Sequence, residues 1–208
     1  MKQEVASFLD YVAHSPTVFQ ATQQACDMLD AAGFTRLSEH EAWEILPGGR
    51  YYVTRNRSAL VAFAVPENGF THCQIVASHG DSPTFKLKAH AEGEAAGAYI
   101  RLDVEPYGGM IMSTWFDRPL SIAGRALVRE DGRLVTRLID LDRDAALIPN
   151  MPIHFNRDIN SGYSYSPKTD MLPLFGGKDA KGALAAEIAA KAGAKEEDVV
   201  AWGLFLYN

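Results

Sequence analysis

The run HCQIVASHGDSP, residues 72–83, constrains the fold more than any other stretch. Its centre, Ile75 to Ala77, is continuously apolar, the pattern of a strand buried on both faces. Two helical stripes precede it. Val5, Phe8, Leu9 and Val12 recur at helical spacing over residues 3–13. Pro16 disfavours helix at Ser15. A second helix over 16–32 places Val18, Ala21, Ala25, Met28, Leu29 and Ala32 on one face, and Gly33 can cap it. RYYVTRN and SALVAFAV, rich in β-branched and aromatic residues, flank Arg57 as a hairpin. Helices leading to a doubly buried strand imply an α/β domain.

The texture changes after Ala91. AEGEAAGAY is small and Gly-rich. Strand-like pieces follow: YIRLDVEPY, MIMSTW, LSIAGRALVRE and RLVTRLID. EDGR, with Asp131-Gly132 at its centre, is a hairpin turn. A boundary is expected near residue 92, with a β-rich region beyond it. Residues 147–177 have two X-Pro bonds near His154 and many turn formers, which predicts an ordered but irregular loop. DAKGALAAEIAAKAGAKEEDV, residues 179–199, reads as a further helix with Leu184, Ile188 and Ala192 on one stripe, and VVAWGLFLYN ends the sequence as an apolar strand. A natural terminus directly after such a strand is uncommon, so a longer polypeptide is expected.

A net charge of −6 gives no basic excess to neutralise phosphates, which argues against nucleic-acid or anionic-membrane binding. No apolar run reaches membrane-spanning length. Two distant cysteines make no disulfide framework. With acids among its first apolar residues, the N-terminus is not a signal peptide, and a cytoplasmic protein is expected.

His79 and Asp81 stand at the end of the apolar run, the end at which α/β sheets bind ligands. On a strand they project to one side. The carboxylate can hold one imidazole nitrogen and leave the other for a metal. On this spacing alone, a turn cap beside a half-buried strand end is the more ordinary reading. His154 in MPIHFNRDIN can be functional or merely packed in its loop. His14, His40, His72 and His90 are expected on the surface. Asp117 and Arg118, in WFDRP, read as a turn held by charge-assisted hydrogen bonds, since no second acid accompanies them as in a glycosidase. GGKDAKG lacks the full phosphate-loop pattern.

Six motifs occur in a set order: SPT at 15–17, AGF at 32–34, YYVTRN at 51–56, SHGDSP at 78–83, YGG then STWFDRPLSIAGR ending at Arg125, and IPNMPIHFNRDIN. In this the sequence resembles the M18 aminopeptidases, the aspartyl aminopeptidase family, over nearly its whole length. HGDSP and WFDRPLSIAGR are the most specific elements. The resemblance implies a partial α/β zinc-peptidase catalytic sheet with an inserted β-rich dimerisation domain. Residues 1–92 would be catalytic, 93–203 inserted, and 204–208 the start of the returning catalytic strand, with an exposed sheet edge there. It implies large homo-oligomers, typically dodecamers of dimers, and removal of N-terminal residues, commonly Asp or Glu, from peptides with two zinc ions.

By the same resemblance His79 is the first zinc ligand and Asp81 the carboxylate that orients it. His154 reaches the partner subunit's active site to bind substrate or stabilise the tetrahedral intermediate. Two positions depart from the family pattern. Gln20 stands where His is frequent, and Gly80 where Thr is frequent. The remaining ligands and the general base of the family lie beyond residue 208. One His cannot hold a zinc pair, since catalytic zinc takes three protein ligands. The sequence therefore reads as the N-terminal portion of an aminopeptidase, inactive alone. The alternatives are a non-catalytic oligomerisation or regulatory module derived from the family, and an unrelated α/β binding domain.

Overall fold

The computed structural model describes residues 2–208. They form two compact units, one ending at Ser82 and the other running from Pro83 to Asn208.

The first unit holds helices α1 (Gln3–Ala13) and α2 (Val18–Ala31) and strands β1 (Thr35–Leu37), β2 (Arg50–Arg55) and β3 (Ala59–Ala64). The Thr17 hydroxyl caps α2 by accepting the Phe19 N–H at 3.3 Å. Strand β2 pairs in parallel with β1 and antiparallel with β3. The β2–β3 hairpin turns at Asn56 and Arg57, both with positive φ, the geometry that matches the strands' twist. Phe19, Ala21, Cys26, Tyr51 and Tyr52 make the small core. The Tyr52 hydroxyl donates to Asp30 Oδ1 at 2.7 Å. Burial, helped by that bond, pushes the phenol up to about 12 and keeps it a neutral donor. Helix α1 has the predicted stripe, but Val5, Phe8, Leu9 and Val12 are all exposed.

The second unit contains β4 (Thr84–Ala95), β5 (Tyr99–Tyr107), β6 (Pro119–Glu130), β7 (Arg133–Asp140), β8 (Ala146–Leu147), β9 (Leu174–Gly177), helix α3 (Ala183–Ala192) and β10 (Val199–Tyr207). Strand β10 pairs with both β4 and β6, so β4, β5, β9, β8, β6 and β10 close into a ring, and β7 extends the sheet from β6. Phe85, Leu102, Leu120, Ile122, Val128 and Leu204 fill its core, joined by Leu184, Ile188 and Ala192 of α3. Each large apolar side chain buried this way contributes roughly 1.5–3 kcal/mol. The Glu92 carboxylate on β4 caps α3, accepting the N–H groups of Gly182 at 2.6 Å and Leu184 at 2.9 Å. The β6–β7 turn is Asp131-Gly132, both left-handed, as EDGR predicts.

Four expectations need correction. The apolar run at 72–79 is not a buried strand: it is extended without ladder partners, and Ile75 and Val76 are 81 % and 88 % exposed. Apolar content marks a segment that could be buried, but a doubly buried strand needs a neighbour on each edge, and no described strand pairs with it. MIMSTW forms a 3-10 turn at Met112–Trp115, not a strand. The compact units part at Ser82, ten residues before the change in texture, because β4 runs unbroken from Thr84 to Ala95. Residues 204–207 expose no sheet edge. They continue β10, pairing with Ser121–Gly124 of β6 and, at Phe205, with Lys86 of β4.

Ring closure brings backbones close together. Gly124 has φ +151, and a Cβ placed there would collide with the Gly203 carbonyl oxygen. Backbone on a paired strand cannot yield as a side chain can. Gly124→Ala is expected to cost about 3 kcal/mol or more, read as a lower urea midpoint for the second unit. An unchanged midpoint would contradict the close approach.

Candidate active site

His79, Gly80 and Asp81 lie on the extended segment of the first unit. The i, i+2 spacing puts both side chains on one side, and His79 Nδ1 sits 3.1 Å from Asp81 Oδ1. A carboxylate can only accept, so it selects the tautomer protonated at Nδ1 and leaves the Nε2 lone pair outward. The imidazole is 94 % exposed. Its ring is thus oriented by a neighbour yet open to a ligand, the arrangement of a metal-binding His with its supporting carboxylate.

The departures from the family pattern are physically quiet. Beyond its chain neighbours, a Cβ at Gly80 would meet only Val18 Cγ2, at an ordinary 3.9 Å. Gln20 is buried in α2, where its Oε1 accepts from the Thr17 cap hydroxyl.

His154 belongs to the second unit, in the long loop between β8 and β9. It lies within the turn closed by Phe155 N–H donating to the Pro152 carbonyl at 2.9 Å, and it is exposed. The loop is tied locally. Asp170 accepts from the Ser166 N–H at 2.8 Å, the Tyr163 hydroxyl at 3.0 Å and the Thr169 hydroxyl at 3.1 Å. The bond to Asp170 raises the Tyr163 phenol above its ordinary value. Tyr163 meets Tyr165 edge to face, and Tyr165 meets Phe116 at a tilt, with ring centroids 5.3 and 5.0 Å apart. A cavity of about 360 Å³ opens beside them, lined also by Asn150, Phe155 and Leu172. Sequence reasoning missed this aromatic wall; the i, i+2 repeat YSY was its only signal.

The donor set has the chemistry of one zinc ligand and its carboxylate support. Among the described residues no three His, Cys, Asp or Glu side chains gather to hold an ion. His14, His40, His72 and His90 are exposed, as expected. Among the described residues no helix is long and apolar enough to cross a membrane.

The family model of the aminopeptidase I zinc metalloproteases (M18) matches residues 11–208. The probable M18 family aminopeptidase 2 of Clostridium acetobutylicum is 40 % identical, over 100 % of this chain and 51 % of that protein. Aspartyl aminopeptidase 1 of Schizosaccharomyces pombe is 43 % identical, over 81 % of this chain and 37 % of that protein. Among solved structures, a chain of the Ape4–Nbr1 complex superposes with a TM-score of 0.90 at 34 % identity, covering 97 % of this chain and 43 % of that one. The Saccharomyces mApe1 dodecamer gives 0.81 at 25 % identity, covering 99 % and 48 %. The chain spans about half the length, or less, of the curated relatives it matches.

The pairing of His79 with Asp81 is directly testable. In the neutral imidazole, ¹⁵N shifts are expected to report a proton at Nδ1, and Asp81→Ala is expected to return it to Nε2, the tautomer free histidine prefers. The same tautomer in both proteins would show that Asp81 does not orient the ring.

Proposed function

This chain belongs to the M18 family of zinc metallopeptidases, and from that premise we propose that it is the N-terminal portion of a di-zinc aminopeptidase. The observation that carries the reading is the His79–Asp81 pair in HGDSP, an exposed imidazole held by a carboxylate at 3.1 Å. His79 offers Nε2 as one zinc ligand. Asp81 accepts its Nδ1–H and keeps that lone pair available. Zinc, when bound, polarises a carbonyl oxygen and acidifies a coordinated water.

His154 acts from the second unit, here read as the inserted dimerisation domain, in the active site of a partner subunit. Its imidazole N–H donates to the substrate carbonyl, where negative charge develops as the peptide bond is attacked. Substrates are peptides with a free N-terminus, and acidic first residues are favoured by the likeness to an aspartyl aminopeptidase. The working assembly is a homo-oligomer built on dimers, and the dodecameric relative suggests its full size. Free Cys26 and Cys73 fit a reducing cytoplasm.

The exposed apolar faces of the first unit support the reading of a portion. The stripe of α1 and the run through Ile75 and Val76 are the surfaces that further polypeptide would cover. By itself the chain supplies one ligand of a set, and it is expected to be inactive. The second reading, a non-catalytic oligomerisation module, draws on the closed barrel and self-contained core of the second unit.

The test uses the full-length polypeptide. His79→Ala is expected to lose zinc and activity together. His154→Ala should retain zinc while kcat falls about 10²–10³-fold, the cost of one oxyanion donor. Loss of zinc from His154→Ala would make it a ligand and overturn its role. A full-length protein with no divalent metal and no release of N-terminal residues would leave the module reading.

A further inference from the structure

The WFDRP segment has no place in the reading above, yet it holds both sides of the loop that carries His154. Asp117 adopts φ +55, a left-handed conformation that Asp tolerates better than most residues. From there its N–H donates to the Ile148 carbonyl at 2.9 Å, and its Oδ1 accepts the Asn150 N–H at 2.9 Å. Asn150 Oδ1 then accepts the Met151 N–H, also at 2.9 Å. Phe116 bridges to Ile148 and lays its ring 5.0 Å from Tyr165 on the returning side. Beyond Met151 the chain turns on local bonds, with the N–H groups of Phe155 and Asn156 donating to the Pro152 carbonyl and His154 inside that turn.

We infer that Asp117 is a positioning residue, setting where His154 stands by anchoring the start of its loop; this rests on the substrate-facing role of His154. A turn-forming Asp would bond within its own turn, whereas this carboxylate reaches across 33 residues of sequence. The bond is exposed and adds little to stability. Its leverage is geometric, because a misplacement of about 1 Å at a reacting centre can cost about 100-fold in rate.

Asp117→Gly separates the two contributions. Glycine accepts the left-handed backbone and keeps the N–H to Ile148, but removes the acceptor for Asn150. Asp117→Asn retains an oxygen at the same place. In the full-length enzyme Asp117→Gly is expected to lower kcat about tenfold with zinc content unchanged, and Asp117→Asn to restore most of it. On a His154→Ala background Asp117→Gly is expected to cost nothing more. Hydrogen exchange on the 208-residue chain should speed up at residues 150–156 in Asp117→Gly and recover in Asp117→Asn. Equal losses on both backgrounds, or unchanged exchange, would overturn the inference. If His154→Ala itself leaves turnover intact, the role of His154 fails, and exchange alone then decides whether Asp117 anchors the loop.

Discussion

Backbone hydrogen bonding between strands is the constraint on which this structure depends. An apolar segment becomes a strand only where another strand can bond its edges. Strand β10 meets that condition twice, against β6 along most of its length and against β4 at Phe205. That double pairing closes the ring and fixes the core that supports α3. The run at 72–79, whose apolar centre is only Ile75 to Ala77, finds no strand partner among the described residues, and Ile75 and Val76 stand in solvent. An apolar centre alone therefore does not make a strand.

That contrast explains what could be read from the sequence. Helical periodicity located α1 and α2 within a residue or two, because an apolar stripe is a local property; it found α3 but drew it over 179–199, past the left-handed Gly182 and Gly193 that bound it. The turn at Asp131-Gly132 was legible because a tight hairpin needs residues that accept positive φ, while the turn at Asn56-Arg57 was legible only through the β-rich runs on either side of Arg57. Ring closure was not legible. It depends on the non-local pairing of residues near 124 with those near 203, which no window of sequence contains. The parallel pairing of β1 with β2 was missed for the same reason, and β1 has only three residues to signal it.

The candidate site divides along the same line. His79 and Asp81 are two residues apart, so extended geometry suffices to bring them together, and the motif announced the contact at 3.1 Å. Asp117 and Asn150 are 33 residues apart, and WFDRP read alone suggested only a turn. Short-range chemistry was visible in the spelling of the motif, while the anchoring of the His154 loop required the fold. The two departures, Gln20 and Gly80, fit their surroundings: one is bonded to the α2 cap hydroxyl, and the other leaves room for a larger residue.

The central claim is that this chain holds one oriented zinc ligand and depends on further polypeptide for the rest of the site. Calorimetric titration of zinc into the purified 208-residue chain and into the full-length protein, with release of N-terminal Asp from a peptide followed in parallel, tests it most directly. The account predicts weak or undetectable zinc binding and no turnover for the chain alone, and two zinc ions with enzyme-like turnover for the full-length protein. Tight zinc binding together with enzyme-like amino-acid release by the 208-residue chain would contradict it.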